Sequence, residues 1–275
     1  MRPAASIRPC ASFRWQSEDG GRRGLRRIGL LAALLTPALV AQAALAAAAA
    51  PEIALGVGGS VSSAPYKRYD TQWMPLPLID LDSEVVYIRG TALGVKVVHL
   101  DFLEVSAFAA YDATSFNASD TSDARLRALQ DRDAGVAAGL EVRLLTPFGM
   151  LHASAAHDIL GHSEAWSGAL GYAYSVEFGP LELIPTVGLY WADSRHTSYY
   201  YGISGAESRA SGLAAYDPGG GTSPYLGLAM YYSLTDNWEI FCSGEIVFLA
   251  ANIQDSPMVG HARSQSLTLG LMYNF

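Results

Sequence analysis

The sequence predicts an all-β protein: an antiparallel transmembrane β-barrel of about twelve strands, preceded by a cleaved signal peptide. Three observations predict it. The last nine residues, Leu267-Thr268-Leu269-Gly270-Leu271-Met272-Tyr273-Asn274-Phe275, alternate apolar with small or polar side chains up to a terminal aromatic. In a two-residue repeat Leu267, Leu269, Leu271, Tyr273 and Phe275 share one face, fit for lipid, while Thr268, Gly270 and Asn274 share the other, fit for water. Half of the residues are hydrophobic, yet beyond residue 50 no apolar run is long enough for a membrane helix, so the apolar surface must be spread over strands. The amino-terminal region carries the marks of export.

Arg22, Arg23, Arg26 and Arg27 precede an apolar run over residues 28–40 and the small-residue triplets Ala41-Gln42-Ala43 and Ala44-Leu45-Ala46. That is the order of a basic region, a hydrophobic region and a cleavage site. A permanent membrane helix competes, because the apolar stretch extends to Ala50; Pro37 and the cleavage triplets favour removal. Glu18 and Asp19 are atypical of such a basic region and point to a start downstream of Met1. Residues 1–47 are thus read as signal peptide and Ala-rich processing region, and residues 48–275 as one barrel. Seven of the 18 Lys and Arg and two of the 26 Asp and Glu precede residue 44, leaving 11 basic against 24 acidic residues. So acidic a chain is a poor partner for nucleic acid, whose binding depends on Lys and Arg neutralising phosphates. Cys10 would leave with the signal peptide and Cys242 would remain alone, which excludes an intramolecular disulfide.

The strands follow in order. Ile53, Leu55, Val57 and Val61 interleave with Ala54, Gly56, Gly58 and Ser60. Less regular runs at 70–80 and 84–90 come next. Leu93, Val95 and Val97 alternate with Ala92, Gly94 and Lys96; Leu103, Val105, Ala107, Ala109 and Tyr111 face away from Glu104, Ser106 and Asp112. Val136, Ala138, Leu140, Val142 and Leu144 oppose Gly135, Gly139, Glu141 and Arg143. After a run at 147–157, Leu170, Tyr172, Tyr174, Val176 and Phe178 oppose Gly171, Ser175 and Glu177, and Leu181, Leu183, Val187, Leu189 and Trp191 oppose Glu182, Thr186 and Gly188. Runs at 224–234 and 237–250 and the terminal strand complete an even number, as bacterial barrels require. Connections test the count. Leu81-Asp82-Ser83, residues 99–102, Thr146-Pro147, Gly179-Pro180 and Thr235-Asp236-Asn237 are short, whereas 62–69, 113–133, 158–164, 192–223 and 251–263 are long. Only Gly90-Thr91 is tight among the latter set, so the alternation matches short periplasmic turns and long external loops. Tyr111, Tyr172, Tyr174, Tyr190, Trp191, Tyr225, Tyr232, Trp238 and Tyr273 fall near span ends, where aromatic girdles sit. A soluble β-sandwich would alternate too. Its outer face would be charged, whereas the polar faces here are mostly Gly, Ala and Ser.

Four collinear stretches resemble the MipA/OmpV family of outer-membrane proteins. They are Leu55-Gly56-Val57-Gly58 with Pro65-Tyr66 and Met74-Pro75-Leu76-Pro77-Leu78-Ile79-Asp80; Tyr87-Ile88-Arg89-Gly90-Thr91-Ala92-Leu93-Gly94; Tyr200-Tyr201-Gly202-Ile203-Ser204 through Ser211-Gly212-Leu213-Ala214-Ala215-Tyr216-Asp217-Pro218-Gly219-Gly220-Gly221; and Asp255-Ser256-Pro257-Met258-Val259 before the last strand. The terminal strand with its final Phe also resembles the signal by which outer-membrane barrels are recognised for insertion. The resemblance implies a non-enzymatic outer-membrane scaffold that touches membrane lipid and binds a murein lytic transglycosylase and a murein synthase. Family members are also linked to adhesion, permeability and envelope stress. No catalytic residue and no cofactor is carried over. One departure is the Ser/Asp-rich tract after Tyr111, with a helical turn expected over 124–129.

Two further function classes compete with the scaffold. A cation-preferring channel would use the lumen, where Glu104, Glu141, Glu177, Glu182, Glu239 and Glu245 outnumber Lys96 and Arg143. A barrel lipase or deacylase would need His152 as base and Ser154 as nucleophile, two apart on one strand face, but no third group is evident to orient the imidazole. His157, Asp158 and His162 straddle a strand end and a loop without fixed metal-ligand geometry, and the Asn117-Ala118-Ser119 sequon reads as plain loop. Tyr199, Tyr200, Tyr201, Tyr216 and Asp217 lie in the longest external loop, where they either contact a partner or order a plug.

Overall fold

The structure, a computed structural model, describes residues 52–275; the expected signal peptide and processing region lie outside the described residues. Alternating side chains and turn residues produce thirteen strands: β1 (Glu52–Ser63), β2 (Gln72–Asp82), β3 (Val86–Arg89), β4 (Ala92–Leu100), β5 (Leu103–Asp112), β6 (Gly135–Thr146), β7 (Gly149–Asp158), β8 (Trp166–Ala173), β9 (Val176–Phe178), β10 (Leu181–Ala192), β11 (Gly221–Ser233), β12 (Trp238–Phe248) and β13 (Arg263–Asn274). Neighbours pair antiparallel around the ring, and β1 closes on β13 with Ala54 opposite Asn274 and Ser63 opposite Gln265. Closure removes the free sheet edges that hydrocarbon does not tolerate, except along residues 72–79 of β2, which pair with β1 alone.

Twelve spans make the wall, because β8 and β9 are two parts of one span and both pair with β10. The sequence pattern predicts an unbroken strand over 170–178. The ladder is interrupted at Tyr174 and Ser175, across from Ile184 and Pro185, where proline has no N–H to give. The run at 84–90 also contracts, to the four residues of β3. Between Lys96 and Val98 the β4–β5 register shifts at a bulge, which lets Val97 and Val98 both avoid the interior.

The pleat fixes what each face sees. Val57, Leu93, Val97, Leu140, Leu170, Leu226 and Leu269 project outward and stay exposed, the band a barrel turns to lipid. Leu267, Leu271 and Tyr273 share that face of β13, and Phe275 ends it with its N–H donating to the Ile53 carbonyl at 3.0 Å. The conventional hydrophobic core lies elsewhere, among the long loops on one rim. These carry helices α1 (Ser194–Tyr201), α2 (Gly205–Ser211) and α3 (Ala251–Gln254) and two short 3-10 turns, Ala118–Asp120 and Leu126–Ala128, the second within the expected helical turn.

Local chemistry explains the two longer helices. Asp193 caps α1 by accepting from the His196 N–H. Ser204 and Glu207 form a reciprocal capping box at the start of α2, and Gly212 closes it in the left-handed region at φ 72°.

Candidate functional site

The rim loops form one packed body. Tyr66 of the β1–β2 loop, Phe116, Leu126 and Leu129 of the β5–β6 loop, Tyr200, Tyr201, Ile203 and Leu213 of the β10–β11 loop, and Leu249, Ile253, Met258 and Val259 of the β12–β13 loop bury one another. Loops rooted on opposite sides of the ring meet, so the packing crosses the mouth. Polar contacts lock it. Tyr66 donates to the Tyr200 carbonyl at 3.3 Å, Ser256 to the Tyr201 carbonyl at 2.6 Å, and Tyr200 to the Asp133 carbonyl at 3.1 Å.

At its centre Arg132 meets Glu207 at 2.6 Å, both buried, while the Arg132 Nε donates to the Tyr199 carbonyl at 2.6 Å. Burial pushes the Glu207 carboxyl up, but hydrogen bonds from Arg132 and Ser204 outweigh it and hold the group down at about 2. Burial pushes the Tyr66 hydroxyl well above its ordinary range. The tyrosine cluster is therefore largely interior: Tyr200 and Tyr201 are buried, and Tyr199 packs edge-on to Tyr200 at 4.8 Å. Tyr216 ties its hydroxyl to the Asn252 carbonyl at 2.7 Å, and Asp217 accepts from the Ser198 hydroxyl.

Below the cap the lumen has two unlike sides. On the β2–β6 side, Arg89 bridges Asp82 at 2.7 Å and Glu104 at 2.9 Å, Lys96 contacts Asp82 and lies 3.5 Å from Glu104, and Arg143 meets Glu141 at 3.0 Å. Opposite charges meet there in register, Glu104 facing Arg143 across the β5–β6 ladder. Arg89 was not among the expected lumen bases because a residue beside a tight turn gives no sign of its direction; pairing with Asp80 turns it inward.

On the β8–β12 side the lumen is aromatic and acidic. Tyr225 lies flat against Tyr190, ring centres 4.3 Å apart, and Tyr190 donates to Glu245 at 2.9 Å. The glycines make this possible. A Cβ at Gly188 would sit 2.5 Å from the Tyr225 ring, and one at Gly171 would sit 2.4 Å from its hydroxyl. Tyr190 and Tyr225, expected in a girdle, thus face inward because their register partners Ala169 and Gly188 do. Glu182 accepts from Ser175 at 2.6 Å and stands opposite Glu177, while Glu239 is buried opposite Ser233 and Met272.

His152 and Ser154 both point inward, but the His152 Nε2 is 3.1 Å from the Tyr225 hydroxyl, and Ser154 stands opposite Glu141 and Ala169. The imidazole is thus engaged away from Ser154. Asp158 accepts from the N–H groups of Leu160, Ser163 and Glu164, ordering the β7–β8 loop, while His157 packs on Trp166 and His162 contacts the Ala134 carbonyl. Asn117 caps the first 3-10 turn by accepting from the Ser119 N–H.

A family model described as MltA-interacting protein MipA matches residues 55–275. The MltA-interacting protein of Escherichia coli (strain K12) is 32% identical over 239 residues, covering 86% of this chain and 96% of that protein. Outer membrane protein OmpV of Vibrio cholerae is 27% identical over 179 residues, covering 65% of this chain and 66% of that protein. Among solved structures, the NanC porin superposes with a TM-score of 0.42 at 9% identity, covering 80% of this chain and all of that one.

Proposed function

The chain belongs to the MltA-interacting protein MipA family of outer-membrane barrels, and from that premise we propose that it is a non-enzymatic scaffold for murein enzymes. Its partners would be a murein lytic transglycosylase and, as a second client, a murein synthase. The observation that carries this reading is the cap: four long loops pack across the external mouth, which disfavours free solute passage and leaves the periplasmic rim as the working face. That rim is built from short turns at 83–85, 101–102, 147–148, 179–180 and 234–237. Surfaces rigidly held by a closed wall suit a docking role. The name of the Escherichia coli relative supports a transglycosylase as the first partner to seek.

The test is affinity capture of the tagged barrel from crosslinked outer membranes, with an unrelated barrel as control. Enrichment of a murein transglycosylase should survive removal of the external loops and disappear when the periplasmic turns are replaced. Dependence on the loops instead would sink the assignment of the working face.

A second reading, a cation-preferring channel, is favoured by the acidic side of the lumen. Glu177, Glu182, Glu239 and Glu245 face inward there, whereas Arg89, Lys96 and Arg143 sit on the other side. In planar bilayers the capped protein should be nearly silent, and a variant with an opened cap should conduct with cation preference. High conductance by the intact protein would favour the channel over the scaffold.

A further inference from the structure

The wall is not equally tall all round. Of β2, only Asp80, Leu81 and Asp82 pair with β3. Residues 72–79 pair on one side with β1 and, among the described residues, with no strand on the other. The β3–β4 hairpin turns back at Gly90-Thr91, where the Thr91 carbonyl accepts from Tyr111, and the wall resumes at β5. At the level of Arg89 and Ala92, β2 and β5 are three strand spacings apart, about 14 Å. Above that level no strand of the described residues fills the interval. The opening has a lintel: Asp70 donates to the Asp120 carbonyl at 2.9 Å, Gln72 reaches the Asp120 carboxylate at 3.3 Å, and the Asn117 N–H donates to Tyr69 at 2.9 Å. It is a window, closed above and below.

Its height is that of the apolar band, since the outward neighbours across β1 are Val57 and Val61. Open sheet edges facing hydrocarbon do not occur unless the backbone lines a water-filled cavity. Two features set this edge apart. Pro75 and Pro77, two apart and so on one side, remove donors that the edge would otherwise leave unpaired. At its upper end, beneath the cap, lies a cavity of about 430 Å³ lined by Tyr69 and Gln72 on one jamb, Thr114 and Phe116 on the other, and Glu245 and Ser266 across the lumen. From residue 72 to 79 β2 carries no charge. Outside it shows Trp73, Pro75, Pro77 and Ile79; inside it shows Met74, 45% exposed opposite Ser60, and Leu76.

A cavity of mixed polarity at the head of an apolar gap in the wall fits a molecule with a polar head and a long hydrocarbon tail. We propose that the gap between β2 and β5 is a lateral portal, occupied by a membrane lipid whose head lies in the cavity and whose acyl chain leaves past Met74 and Leu76. The cap gives this direction, since it covers the axial exit and leaves the wall open.

The experiment places a fluorophore at a single cysteine, with Cys242→Ser removing the native thiol, in vesicles of phosphatidylcholine doped with phosphatidylcholine spin-labelled midway along one chain. Leu76→Cys is compared with Thr268→Cys, an inward position on intact wall, and Leu269→Cys, an outward one. Quenching at 76 should exceed that at 268 several-fold and approach that at 269, and Met74→Trp should reduce it. Quenching at 76 no greater than at 268 overturns the portal, as does quenching by aqueous iodide alone. Met74→Cys supplies the same readout if Leu76→Cys does not fold, folding being scored by heat-modifiable gel migration.

Discussion

The wall and the cap of this barrel are held together by different forces. In the wall, backbone pairing links every strand to its neighbours around the ring, the upper part of β2 apart, and the side chains facing out gain little from one another, because lipid is as apolar as they are. In the cap, strand pairing is scarce. Twelve buried apolar side chains drawn from four loops do the packing, and one buried ion pair stands among them. The wall is thus specified by register and the cap by shape. A defect in the wall should spread around a closed ladder, whereas one in the cap should stay local.

The largest effect should come from Gly188→Val in β10. Its Cβ would meet the Leu170 carbonyl at 2.4 Å and the Tyr225 ring at 2.5 Å, one of them immovable backbone. The variant should lose most of its folded, heat-modifiable form, and normal migration would show that the flat tyrosine is dispensable. Next comes Glu207→Ala, which leaves Arg132 buried without its carboxylate; breaking such a pair costs about 3–5 kcal/mol. Limited proteolysis should then cut between α1 and α2 while the barrel band survives. Joint loss of barrel and cap would refute their independence.

The same pair predicts a pH window. The Glu207 carboxyl is held below its ordinary value of 4.5, at about 2, so its contribution is complete above pH 4.5 and is lost as pH falls through about 2. Hydrogen exchange in α2 should accelerate across that interval, and Glu207→Gln should flatten its share of the change. The smallest effect is expected for Ser204→Ala, which removes the N-cap of α2 and costs about 1 kcal/mol. It should appear in exchange of α2 amides and leave the urea midpoint of the wall unmoved.

The wall was legible because a two-residue repeat has only two faces, and Gly, Ala and Ser alternating with Leu and Val say which faces lipid. That is why β1, β6 and β13 follow the sequence residue by residue. Irregular runs hid what contacts alone decide. The retreat of β3 to Val86–Arg89, the break at Tyr174-Ser175 and the inward turn of Arg89 all depend on the neighbouring strand. Pro185, Pro75 and Pro77 were visible signals for two of these features, since proline marks places where a ladder ends or has no partner. The capping box Ser204/Glu207 was equally readable. Nothing local revealed that its Glu also pairs with Arg132, 75 residues away in the chain.

By itself the sequence determined the barrel, its span number, its lipid-facing stripe and the side that bears the long loops. These follow from periodicity and turn chemistry, which are local. Only the tertiary structure decided that the loops knit into a cap, that the lumen divides into a charge-paired side and an acidic aromatic side, and that the wall is interrupted beside β2. Each of these depends on groups far apart in the chain meeting across the ring, where distance along the sequence carries no information about distance in space.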